Sequence, residues 1–225
     1  FCDDVIHLTL ALPDAGLDYV PGQYMNVVLP DGETRSFSMA SAPAGNLVDF
    51  HVRRIPGGRY TDLWLGQAQA GAGLEIEAPL GVFSYHEEDW RPLIMMATGT
   101  GIAPIKAILE SLLDNEDCPP VTLYWGMRTE ADLYLRDVIE SWAGRLYEFN
   151  FVPVLSRAGA DWQGRRGHVQ QAVMEDHEDL SEHAIYLCGA PDMIREAKSL
   201  LAARGASLDH MYADSFTFQH ALAAA

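Results

Sequence analysis

The chain is short of positive charge. Fifteen lysine and arginine residues face 32 aspartate and glutamate residues, a formal net charge of −17. That balance argues against nucleic acid and against an anionic membrane as partners; it suits a solvated surface or a docking face for a basic partner. Long apolar runs are missing too. No stretch reaches the ~18–20 residues that a membrane-spanning helix requires, although 48% of the 225 residues are apolar, ample for a packed core. Cysteine is scarce: Cys2, Cys118 and Cys188 show neither a metal-binding spacing nor an even disulfide count, which fits a reducing, cytoplasmic setting. Internal repeats and low-complexity segments are absent. So are an initiating methionine and a signal-peptide pattern at Phe1-Cys2-Asp3-Asp4, an opening expected of a piece of something longer.

What is present is organised around residues 95–104, Met-Met-Ala-Thr-Gly-Thr-Gly-Ile-Ala-Pro. The apolar run Leu93–Ala97 reads as a buried strand. Ile105, Ile108, Leu109 and Leu112 fall on one face of a following helix, whose first turn tolerates Pro104. Between them, Thr98-Gly99-Thr100-Gly101 allows close backbone approach, and the helix start offers unpaired N–H groups to an anion. The spacing is not Gly-x-Gly-x-x-Gly. Taken alone, the segment fits a phosphate-binding turn or an ordinary tight strand–helix connection.

Before it, residues 1–88 read as short strands broken by turns: Val5–Leu12, Tyr24–Leu29, Arg35–Ala40, Val48–Arg53 and Leu74–Ala78, with a helical piece at 60–65. This rhythm predicts an antiparallel β-barrel. From 89 to 225 strand alternates with helix. Strands are expected at Leu93–Ala97, Val121–Trp125, Phe149–Leu155, Ala184–Cys188 and His210–Ala213, and helices at 104–114, 130–142, 168–176 and 191–204. Such alternation predicts a parallel, Rossmann-like α/β sheet with ligands beyond the strands' carboxyl ends. The turns there are Gly99–Gly101, Gly126-Met127-Arg128, Ser156-Arg157 and Gly189-Ala190-Pro191.

In this order the pieces resemble the ferredoxin–NADP reductase family, an FAD-binding barrel followed by a nicotinamide-nucleotide domain. The resemblance spans nearly the whole chain. Arg35-Ser36-Phe37-Ser38 matches the family's flavin motif, Gly58-Arg59-Tyr60-Thr61 its pyrophosphate turn, and Pro79-Leu80-Gly81-Val82-Phe83 its closing motif. Gly99–Pro104 and Tyr186–Pro191 match its two nucleotide signatures.

The resemblance implies the following roles. Arg35 presents a planar guanidinium to a flavin phosphate. Ser38 donates its hydroxyl to flavin N5. Phe37 stands where tyrosine is commoner and packs on the isoalloxazine without bonding the ribityl chain. His51, Val52 and Arg53 line the neighbouring strand, and Gly58–Thr61 open a helix toward the pyrophosphate. Cys188 sits against the nicotinamide C4 as a positioning group. Asp214 orients Ser38 and Cys188, and Phe216 covers the flavin as part of a C-terminal tail. Ser156-Arg157 suits a 2′-phosphate, whereas Trp162–Gly167, with Arg165-Arg166, resembles NADH-using oxygenase reductases. NADH and NADPH both stay open. The family's barrel normally begins one strand earlier, and no Cys-x₄-Cys-x₂-Cys cluster is present for a plant-type [2Fe–2S] centre; an upstream iron–sulfur domain would account for both.

The implied activity is hydride transfer from NAD(P)H to FAD, and electron delivery to an iron–sulfur domain, ferredoxin or oxygenase. The alternatives are a free-flavin reductase, which tends to lack the pyrophosphate turn, and a redox-inert nucleotide-sensing module.

Overall fold

The computed structural model describes residues 1–13 and 16–215; Phe216 lies outside the described residues. The N-terminal lobe holds strands β1 (Val5–Ala11), β2 (Tyr24–Val28), β3 (Thr34–Ser38), β4 (Leu47–Arg53) and β5 (Glu75–Leu80). They pair antiparallel as β1–β4 and as β3–β2–β5, and a bridge between Met39 and Phe50 joins the two sheets. Alternation along β2 explains the wrapping: Met25 and Val27 point inward and are 1% exposed, packing with Phe50, Val52 and Tyr60 in one core. The helical piece between β4 and β5 starts at Arg59, with a wide first turn over Arg59–Trp64.

The C-terminal lobe is a six-stranded parallel sheet. Its strands are β6 (Leu93–Thr98), β7 (Val121–Met127), β8 (Phe149–Leu155), β9 (Arg165–Arg166), β10 (Ala184–Gly189) and β11 (Met211–Ser215), in the order β11-β10-β6-β7-β8-β9. Both faces are covered, which is why the central strands read as continuous apolar runs. Helices α1 (Ile102–Leu112) and α2 (Arg136–Glu140) pack with Met95, Trp125 and Tyr186 on one face. Helices α3 (Val169–Asp176) and α4 (Pro191–Ala203) pack with Met96, Tyr124 and Leu187 on the other. The helix expected over 130–142 is interrupted: a 3₁₀ turn covers Glu130–Asp132 and α2 begins at Arg136. The interruption turns Tyr134 toward the barrel, where its hydroxyl meets His51 Nδ1 at 3.2 Å. β9 was not expected from its two-residue length.

Contacts from α1 and from Tyr134 tie the lobes together. Lys106 of α1 donates to the Ala40 carbonyl at 2.7 Å. The Tyr134 ring stands edge-on to His51 and Trp125 and stacks on Phe1. The connecting segment is tied to the far edge of the sheet: the Asp89 carboxylate accepts from Arg91 and contacts His210 Nδ1, both at 2.7 Å, and accepts from Tyr212 at 3.2 Å. Burial acts to raise the Asp89 pKa, but the Arg91 and His210 hydrogen bonds outweigh it and hold it low.

His51 is 5% exposed. Burial, reinforced by the Lys106 charge, pushes its pKa down to about 3, so the imidazole is neutral in the fold and free to protonate once unfolded. A group with a depressed folded pKa contributes stability above its unfolded value, and that stability is lost as pH falls through the window between the two. At about pH 5 the loss from this one group is roughly 2 kcal/mol relative to about pH 7. Urea unfolding at both pH values should show the difference shrink by about that amount in His51→Leu.

Candidate functional site

The carboxyl ends of β6, β7, β8 and β10 meet the start of the barrel around a cleft of about 230 Å³. Thr98, Gly99 and Thr100 form its floor, with Gly126, Met127, Arg128, Ser156, Gly189 and Ala190 along the sheet; Cys2, Asp4, Val5 and Arg53 close the barrel side. Glycine is a steric necessity at one turn: a Cβ on Gly101 would collide with the Cys188 carbonyl. Gly99, by contrast, has a left-handed φ of 57° and open space beside it. Its carbonyl is held by Trp125 Nε1 at 3.0 Å. The turn therefore leads straight into α1 with its backbone bare toward the cleft, an arrangement with room and N–H groups for a phosphate. Pro191 occupies the first position of α4, and the Ala190 N–H donates to Thr98 Oγ1 at 3.3 Å.

Cys188 and Asp214 are register partners on adjacent parallel strands. Burial, then the nearby Asp214 carboxylate, drives the Cys188 thiol pKa well up, so it is a neutral thiol rather than a nucleophile. Burial likewise raises Asp214. The Cys188 side chain is 0% exposed and packs in the core beneath the cleft; the wall itself is made by Gly189 and Ala190. Ser38, at the end of β3, is 6% exposed, and its hydroxyl has no hydrogen-bond partner among the described residues. No bond from Asp214 to Ser38 forms. A buried hydroxyl left without a partner is costly, and a bound ligand atom would relieve it.

On the barrel, the Arg35 guanidinium donates to Glu33 at 2.8 Å and to the Thr34 carbonyl at 2.8 Å, and Ser36 Oγ donates to Asn26 at 2.7 Å. The Phe37 ring lies 5.1 Å from the ring of Tyr60. Thr61 closes the glycine turn by accepting from the Ile55 N–H at 2.9 Å, and a Cβ on Gly58 would crowd the Ile55 carbonyl at 2.8 Å. Val52 faces the barrel core and is 0% exposed. The orphaned Ser38 hydroxyl on one lobe and the glycine cradle on the other fit a flavin and a nicotinamide nucleotide.

Comparison with known proteins agrees. The oxidoreductase FAD-binding domain pattern matches residues 1–85 and the oxidoreductase NAD-binding domain pattern residues 95–199. The NAD(P)H-flavin reductase of Vibrio harveyi is 33% identical over 214 residues, covering 92% of this chain and 90% of that protein. The chain belongs to the ferredoxin–NADP reductase family. It joins an oxidoreductase FAD-binding domain to an oxidoreductase NAD-binding domain, with FAD and NAD(P)H as cofactors. Protein RfbI of Salmonella typhimurium is 37% identical over 215 residues, with 95% of this chain and 64% of that protein covered. The chain thus spans just under two thirds of the length of several curated relatives. Others are named as reductase or electron transfer components of dioxygenases. Among solved structures, the cytochrome P450 reductase GcoB of Amycolatopsis superposes with a TM-score of 0.88 at 32% identity, covering 96% of this chain and 66% of that one. Among the described residues no helix is long and apolar enough to cross a membrane.

Within this family member the arginines at the nucleotide turn divide. Arg165 is held by Glu175 at 3.0 Å and by Asp176. Arg166 donates to the carbonyls of Ala158, Gly159, Ala160 and Trp162. Both are committed to the fold. Arg157 is exposed, beside the cleft-lining Ser156. Cys2, Asp4, Val5, Asp132 and His168 line the cleft as well, and no local pattern marked them.

The crowding at Gly101 sets a stability test. Gly101→Ala overpacks backbone against backbone and should cost about 1–3 kcal/mol. Gly99→Ala meets no atom and should cost only the left-handed strain, about 1–2 kcal/mol, without displacing α1. Denaturant melts and titration with NAD+ distinguish them: nucleotide affinity should fall much further in Gly101→Ala.

Proposed function

We propose that this chain is the flavin and nicotinamide module of an electron-transfer reductase whose acceptor is a protein carrying an iron–sulfur or comparable centre. In this reading residues 1–88 form the flavin lobe and 89–225 the nucleotide lobe. A bound flavin would supply the capacity to take up hydride from a nicotinamide and release its electrons one at a time. The chain's own residues supply geometry. Ser38 directs a hydroxyl at the flavin ring edge, Arg35 and the turn Gly58–Thr61 hold the pyrophosphate, and Gly99–Gly101 with Gly126 and Arg128 hold the nicotinamide nucleotide. Cys188 and its neighbour Asp214 set the nicotinamide's depth, with Cys188 held as a buried, neutral thiol. The orphaned Ser38 hydroxyl is the observation that carries the reading. Support for a protein acceptor comes from relatives named as dioxygenase electron transfer components. The likeness to NAD(P)H-flavin reductase favours a second reading, in which flavin leaves as product.

Purified protein should retain flavin absorbance through gel filtration and bleach on addition of NADH or NADPH. A colourless protein that turns over added flavin would establish the second reading. Cys188→Ala should slow the limiting rate of flavin reduction at least ~10-fold, about 1.4 kcal/mol of barrier, with little change in the dissociation constant. An unchanged rate would reduce Cys188 to core packing. For the nucleotide, Arg157→Ala should raise the KM for NADPH several-fold and leave NADH nearly untouched; equal losses would show that Arg157 contacts something common to both.

A further inference from the structure

Lys106 is a buried cation that hydride transfer does not require. Its side chain is 10% exposed and pairs with Glu110, one turn on along α1, at 2.6 Å. The same ammonium donates to the Ala40 carbonyl at 2.7 Å, and the other Glu110 oxygen accepts from the Ala42 N–H at 3.3 Å. The pair thus grips two backbone groups of the barrel from a helix of the other lobe. What it grips is specific: Ala40 lies two residues after Ser38, and barrel bonds already fix the opposite side. The Met39 N–H donates to Gln23 and the Ala40 N–H to Asp49. At its N-terminal end the same helix rests on the Cys188 carbonyl through Gly101. Little more than one turn of helix, about 7.5 Å along the axis, separates the two attachments.

We infer that Lys106 and Glu110 are positioning residues that set the spacing between the Ser38 and Cys188 sides of the site. The pair acts as a rigid spacer: burial in a low-dielectric interface makes each bond directional and expensive to leave unmade, so α1 transmits the position of one lobe's reacting edge to the other. A lysine placed only for solubility would be solvated, and a core position would carry a methionine or leucine at no desolvation cost. The inference rests on the Ser38 and Cys188 roles proposed above.

Lys106→Met keeps the stem and removes the donor. In the FAD-loaded protein, stopped-flow should show the limiting rate of flavin reduction falling at least ~10-fold, while the dissociation constant for NADH or NADPH shifts less than about threefold. Amide hydrogen exchange across residues 39–42 should rise at least ~10-fold, a readout independent of turnover. Should Lys106→Met fail to fold, Glu110→Gln keeps an acceptor without the charge, and a fall of about threefold or more in the same rate, with faster exchange at Ala42, supports the spacer. Faster exchange with an unchanged reduction rate overturns it, as does a loss confined to nucleotide affinity. Ser38→Ala run in parallel separates the two ideas: if it leaves reduction unchanged, the Ser38 role fails; if it slows reduction while Lys106→Met does not, only the spacer fails.

Discussion

At Gly101 the backbone of α1 lies so close to the Cys188 carbonyl that no side chain fits between them. Everything else at the cleft follows from that approach. It brings a helix start to the end of a buried strand, and it sets Thr98 near enough to Gly189 for its hydroxyl to accept from the next N–H. It also leaves α1 enclosed by both lobes, with every residue from Ile102 to Leu109 buried. A helix so enclosed cannot slide without dragging strands from two sheets, which suits a reaction in which the donor and acceptor atoms must meet within fractions of an ångström.

The electrostatics follow the same economy. A chain of net charge −17 keeps its buried junction close to neutral. His51 is uncharged, Cys188 stays a thiol and Lys106 is matched by Glu110. Unbalanced acid is left to the surface, where water screens it.

The parallel lobe was legible because strands covered on both faces spell apolar runs, and Phe149–Leu155 was read to the residue. The α1 pattern was legible only in part. Ile105, Ile108, Leu109 and Leu112 suggested one buried face, yet Lys106 and Ala107 are buried as well, because the second lobe covers what a lone sheet would leave wet. The break before α2 went unread for a similar reason: Tyr134 has acceptable helix propensity, and its departure is set by partners 83 and more residues away, His51 and Phe1. Ser38, Arg35 and Cys188 stood out through family resemblance, not through any local chemistry. Cys2, Asp4 and Val5 reach the cleft only by the fold's long-range closure, which no window of sequence contains.

The outer edge of the sheet ends at the two arginines of β9. An edge strand exposes unpaired backbone groups to any other chain that offers a strand. Here the edge ends after two residues, both arginine. One is braced by the carboxylates of Glu175 and Asp176, the other turned back on the loop Ala158–Trp162. A neighbouring molecule approaching edge-on would have to break those links and set its own backbone beside two cations. Two charged side chains on so short an edge make it a poor template for a second strand.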